Sequence, residues 1–184
     1  LHGIKSHVYV ALRLFADVWS AELGRSVDEY CAAPIGEVTS LKGWQELDTL
    51  IKSSDGWPAD KRYYFISKMV CHASNYGMKP PTFRINMLQK SEGKVSISLS
   101  EAKRFLNTYH QLFPEIQLWQ TETINTLRRD GILRNLFGYP RVFTAQVEES
   151  MYKEAYAFVP QSTVGTITNL TFSKMQQKIE NPDD

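Results

Sequence analysis

Lys61, Tyr64, Lys68, His72 and Tyr76 follow one another at intervals of three and four residues, the spacing that stacks side chains along one face of a helix. Ile66, Met69, Val70 and Ala73 fall on a neighbouring face. An apolar side of this kind anchors a helix, while the other side presents cations and rings. A lysine offers phosphate oxygens a compact charge, and a ring one turn away can stack on a base or pack against a sugar. The N-terminus of the helix adds partial positive charge beside Lys61 and Arg62. A nucleoside triphosphate is both anionic and aromatic, and so matches such a face. The same period also suits an ordinary amphipathic helix with a solvated basic edge, and periodicity alone leaves both readings open.

These residues require a helix between two stops. Asp60 is a good N-cap, and Gly77 followed by Pro80 and Pro81 ends the run, so a helix is predicted from Lys61 to about Asn75. Upstream, Val8, Leu12, Phe15 and Trp19 predict one amphipathic helix from Leu1 to about Leu23, closed near Gly24. From Ser26 to Trp57 the chain is punctuated by Pro34, Gly36, Gly43 and Gly56. That stretch reads as a loop-rich insertion with one helix around Trp44, Leu47 and Ile51. Downstream, Ser98 and Glu101 have capping-box spacing ahead of Phe105, Tyr109 and Leu112, and Pro114 starts a helix to about Arg129. Ile132 to Phe137, then Gly138-Tyr139-Pro140, then Arg141 to Phe143 read as a short hairpin. A helix from Glu148 to about Phe158 is expected to be interrupted by Pro160 before a last helix from about Thr163 to Ile179. The expected fold class is therefore mainly α with a small β hairpin, an α+β architecture.

Composition bounds what this architecture can serve. The 184 residues suffice for one domain with a real core, and they begin at Leu1 without an initiator Met, which suggests a fragment or a processed product. Lys plus Arg total 21 against 20 Asp plus Glu, so any nucleic-acid contact must come from local clustering of charge. No apolar run approaches the roughly 20 residues a membrane helix requires. Cys31 and Cys71 are too few for a disulfide framework or a zinc site, and no secretion signal is recognisable, so a reducing, cytoplasmic setting is expected. His7 and His110 have no metal-ligand spacing to other ligands, and Asp28, Glu29, Asp48 and Asp55 read as surface residues.

The order of the chemical residues goes further than their period. Lys68, His72, Tyr76 and Gly77, within Asn75-Tyr76-Gly77-Met78, resemble the Lys-x3-aromatic-x3-Tyr-Gly motif of the fingers helix in A-family DNA polymerases. Two further elements follow in that family's order. The run from Phe113-Pro114 to Gly138-Tyr139-Pro140-Arg141 is similar to its helix and Thr-Leu-x-Gly-Arg-Arg-Arg hairpin, with basic character kept at Arg141. Phe158-Val159-Pro160-Gln161-Ser162-Thr163-Val164 resembles its Pro-Ile-Gln-Gly-Thr element and a Pro-Gln-Ser-Thr variant of phage enzymes. Two positions depart from the pattern. Tyr64 stands where an Arg is expected four residues before the Lys, with Arg62 two positions earlier, and His72 stands where a sugar-sensing Phe or Tyr is usual.

The resemblance implies the fingers subdomain and adjoining palm of a right-hand polymerase, with residues 1 to about 112 as fingers and about 113 to 184 as palm-adjacent helices and hairpin. It implies that Lys68, His72, Tyr76 and Arg62 meet the incoming nucleotide, and that Gln161, Thr163, Lys153 and Arg141 meet the primer-template. His2 faintly resembles the His that follows the family's first catalytic motif. Partners would be primer-template DNA, deoxynucleoside triphosphates and the remainder of the polymerase chain. Mg²⁺ would be held by aspartates before and after this stretch, leaving it able to bind but not to catalyse. Two other readings stay open: a single-subunit, phage-type RNA polymerase, and a non-catalytic helical nucleic-acid-binding module.

Overall fold

The computed structural model describes residues 5–24, 26–32, 41–53, 62–144 and 148–180. Among these residues the chain is mainly helical with one two-stranded antiparallel hairpin, as the sequence predicts. It divides into two compact units, Leu1–Pro114 and Glu115–Asp184.

The first unit contains α1 (Ser6–Leu14), α2 (Ala16–Leu23), α3 (Val27–Ala32), α4 (Leu41–Ser53), α5 (Arg62–Asn75), α6 (Pro80–Lys90) and α7 (Leu99–Leu112). Val8 and Leu12 of α1, Trp19 of α2, Val27 of α3, and Leu47 and Ile51 of α4 pack into one buried cluster. Tyr63 and Tyr64 of α5 close its side. The single helix expected over the first 23 residues is two helices, because the backbone turns at Phe15 (φ −124°, ψ 40°). The turn sets the Phe15 ring between Tyr63 and Phe105, with centroids 4.8 and 5.6 Å away. Arg104 donates to the Leu14 carbonyl at 3.2 Å, satisfying an acceptor that the broken helix leaves without its usual partner.

Two helices here were not expected. α3 begins with a capping box, in which the Glu29 N–H donates to Ser26 Oγ at 3.1 Å and the Ser26 N–H to Glu29 Oε2 at 3.2 Å. α6 begins at Pro80. The prolines that follow the stop of α5 are also well suited to the first turn of a helix, where no N–H is needed. The predicted box at Ser98 and Glu101 opens α7. Asp60 and Lys61, the predicted start of α5, lie outside the described residues.

The second unit holds α8 (Pro114–Asp130), whose first residue ends the first unit, then β1 (Ile132–Arg134), β2 (Pro140–Val142) and α9 (Glu149–Glu180). The strands pair Ile132 with Val142, Leu133 with Arg141 and Arg134 with Pro140. Ile124, Leu127, Leu133, Phe143 and Ala155 form the core that α8, the hairpin and α9 share.

Pro160 does not end a helix; α9 runs through it. Proline costs a helix one backbone bond and a clash with the preceding turn. Pro160 itself is exposed, while Ala155 before it and Thr163 after it are buried and hold the helix on both sides of the proline.

Candidate functional site

α5 owes its orientation to the burial of Ile66, Val70 and Ala73, with Ser67, Cys71 and Ser74 beside them. Burial drives the Cys71 thiol up to about 12. It is therefore protonated at neutral pH and unsuited to nucleophilic chemistry. Lys68 and His72 stand on the opposite, exposed side.

Tyr76 is the residue at which α5 stops. Gly77 takes φ +65°, its N–H donates to Ser74 O at 3.1 Å, and the Met78 N–H reaches back to Ala73 O at 2.8 Å. This bond pair is a Schellman cap, and its left-handed residue is best served by glycine. The Tyr-Gly pair thus has a backbone reason: glycine ends the helix immediately after the ring. Asn75 is fixed in turn by the Tyr109 hydroxyl, which donates to its Oδ1 at 2.8 Å; burial pushes that phenol up to about 12.

Sequence reasoning missed what faces this helix. His7 of α1 meets Tyr64 edge-on with ring centroids 6.1 Å apart and lies 6.2 Å from the His72 ring. Burial lowers the His7 pKa, and the nearby His72 and Lys68 lower it further. Lys52 of α4 holds its ammonium 5.4 Å from the Tyr64 ring centre. A periodicity search along α5 cannot detect residues contributed by other helices. Arg62 stacks on Tyr63, 5.1 Å from the ring centre, and donates to its hydroxyl at 3.2 Å. The structure thus gathers Tyr64, Lys68 and His72 around His7, and turns Arg62 to the Tyr63 side, about 200° from Tyr64 at about 100° per residue.

In the second unit the predicted residues separate into two kinds. Gln161 and Lys153 are exposed on α9. Thr163 is 7% exposed, its Oγ1 donates to Val159 O at 2.7 Å, and it receives the Leu136 N–H at 3.3 Å. Its hydroxyl ties the hairpin to the helix. Arg141 pairs with Glu154 and lies over Phe143 and Phe158, 5.1 and 5.8 Å from the ring centres. Gln161 lies two turns beyond Glu154 on α9 and about 20° from it in direction, so Arg141 and Gln161 border one edge of the helix.

The residue that organises this hairpin was not singled out from sequence. Asn135 is 5% exposed; its Oδ1 accepts from the Phe137 and Tyr139 N–H groups at 2.9 and 3.0 Å, and its Nδ2 donates to Thr166 Oγ1 at 3.1 Å. Arg134 closes the same turn by donating to Gly138 O at 2.9 Å.

Among the described residues no group of three or more His, Cys, Asp or Glu could hold a metal ion. His2 and Asp55 lie outside them. No described helix is long and apolar enough to cross a membrane.

No family model matches the chain. A stretch of 93 residues is 27% identical to the thermostable DNA polymerase I of Thermus aquaticus, covering 47% of this chain and 11% of that protein. The relationship is distant and partial. It supports at most a remote tie to the A-family polymerases.

Proposed function

We propose that the chain is the nucleotide- and primer-template-binding part of a template-directed DNA polymerase, with residues 1 to about 112 as fingers and about 113 to 184 adjoining the palm. The observation that carries this reading is the exposed Lys68–His72 pair on a helix anchored by its other side, with Tyr76 set at its glycine-capped end. Lys68 supplies charge to the triphosphate, His72 meets the sugar or base, and Tyr76 closes against the nascent base pair. Arg62, on the Tyr63 side of α5, reaches phosphate oxygens only by leaving its stack on that ring, at a helix end that is partially positive. In the second unit Gln161 donates to and accepts from a base edge in the minor groove, while Arg141 and Lys153 meet backbone phosphates. Thr163 serves the same surface by holding the hairpin beside it.

Nucleotidyl transfer uses two divalent ions clamped by carboxylates. The reading assigns Mg²⁺ to carboxylates of the rest of the polymerase, and to none of the residues described here.

The experiment is Lys68→Ala in the full-length protein that carries this chain. Charge-assisted contacts contribute roughly 1.5–3 kcal/mol, so kcat/KM for deoxynucleotides should fall about tenfold to a hundredfold with primer-template affinity little changed. Unaltered nucleotide kinetics would remove α5 from the site. His72→Phe and His72→Tyr test the sugar contact through the ratio of deoxy- to dideoxynucleotide incorporation, which should differ between the two variants and the parent. Identical ratios would make His72 a packing residue only.

A further inference from the structure

Tyr64 lies one turn before Lys68, and three helices bring charge to its ring. Lys52 sits over the ring from the end of α4 and donates to Asp48 Oδ2 at 2.7 Å. Lys5, immediately before α1, donates to the same oxygen at 3.0 Å. His7 stands edge-on to Tyr64 and beside His72, with Lys68 near enough to bear on its charge. Among the described residues, the ammonium groups of Lys5, Lys52 and Lys68 therefore gather about Tyr64 and its neighbours against the Asp48 carboxylate, a surplus of two positive charges.

Two of those ammonium groups share a single oxygen. Like charges drawn together in this way repel one another, and partly exposed pairs contribute little to stability. An anion with several oxygens spread along a chain would separate them while keeping each paired. Lysine is suited to the exchange, since its point charge sits on a flexible four-carbon stem. The Tyr64 ring fixes where that stem lies, and the Lys52 side chain remains 35% exposed.

We propose that Lys52, seated on Tyr64, is a second cation for the triphosphate tail beside Lys68, and that Asp48 holds Lys52 and Lys5 until the nucleotide arrives. The assignment rests on the reading of α5 as a nucleotide helix. It adds a residue from a different element, and a carboxylate that competes with the ligand.

The test measures binding of a non-hydrolysable deoxynucleoside triphosphate, the matching monophosphate and primer-template DNA to the full-length protein. Lys52→Ala should weaken the triphosphate about fivefold, the factor that about 1 kcal/mol gives, and leave the monophosphate and DNA unchanged. Asp48→Asn should tighten the triphosphate, although it breaks two ion pairs. Adding Tyr64→Arg to Lys52→Ala should recover most of the loss, because it returns a cation to the same place. Should Lys52→Ala unfold, Lys52→Gln, which keeps part of the stem on Tyr64, carries the same expectations.

An equal loss for mono- and triphosphate, a loss confined to DNA, or no gain in Asp48→Asn would overturn the assignment. If Lys68→Ala weakens the triphosphate and Lys52→Ala does not, this inference alone falls. If neither variant weakens it, the nucleotide-helix reading falls with it.

Discussion

On α5 the polar residues that match a ligand stand on the side away from the core, whereas in the hairpin and α9 Thr163, a residue of the same apparent promise, joins Asn135 in holding the backbone together. Lys68 and His72 are exposed while Ile66, Val70 and Ala73 are buried behind them. In the second unit Thr163 and Asn135 are buried, and their polar atoms are paired with the hairpin and its turn. A regular helix separates its binding side from its anchoring side by geometry alone. A three-residue strand pair has too little apolar surface to fix its own position, so polar side chains take over part of that work.

The most severe way to break this comparison is Asn135→Ala. It removes the acceptor of two turn N–H groups and the donor to Thr166 in one step. Stranding buried partners costs more than the bonds are worth, so the expected loss is about 2–3 kcal/mol in denaturant unfolding. Lys68→Ala should leave stability unchanged. A loss at Asn135 under about 0.5 kcal/mol, the range of ordinary surface changes, would mean that the hairpin does not depend on the side chain.

Thr163→Val and Gln161→Ala sharpen the contrast within one motif. Thr163→Val should cost about 1–2 kcal/mol, because it leaves the Leu136 N–H without its partner at an isosteric site. Gln161→Ala should leave the unfolding midpoint in place and weaken primer extension or mismatch discrimination by the factor that about 0.5–1.5 kcal/mol gives. Equal stability losses in both variants would erase the distinction drawn between them.

Gly77→Ala probes the link between the backbone and the exposed Lys68–His72 side of α5. A Cβ at φ +65° costs about 1 kcal/mol, and the relaxation displaces Tyr76. Nucleotide use should therefore fall further than stability alone accounts for. Asn in its place, which tolerates the left-handed region, should restore most of both.

The smallest effect is the acid response of the first unit. Burial lowers the pKa of His7 and of His110. The unfolded chain thus binds protons at these sites at a pH where the folded chain does not, and stability falls as pH drops below about 6.5. Glu101 behaves differently: the Ser98 N–H and hydroxyl hold its pKa down, so its contribution persists to lower pH and is lost only as pH falls through that lowered value. The unfolding midpoint should decline from pH 7 to 5, and the decline should shrink in His7→Gln. A flat profile over that range would show that neither histidine is desolvated in solution.

Much of α5 was legible in the sequence because a helix converts spacing into direction. Lys68, His72 and Tyr76 share a stripe whatever the helix packs against, and Gly77 followed by Pro80 marks its end. The capping box at Ser98 and the turn around Gly138 are local for the same reason: their bonds close within four residues. The signals for α3 and α6, Ser26-x-x-Glu29 and Pro80, also lie in the sequence, but Ser26 sits in a Gly- and Pro-punctuated stretch and Pro80 directly after a helix stop, so each is equally consistent with a loop.

What the sequence by itself determined is the helical class of the chain, the hairpin, and the order of side chains along α5. Tertiary structure alone decided that the first helix breaks at Phe15, since the ring's partners Tyr63 and Phe105 and the carbonyl's partner Arg104 are remote in the chain. It decided that α9 continues through Pro160, because packing around Ala155 and Thr163 outweighs the lost bond. It also brought His7, Lys52 and Lys5 to the α5 face and committed Thr163 to the hairpin. Each of these outcomes depends on a contact whose two ends are distant in sequence or sit on different elements, and spacing along one segment carries no information about the other end.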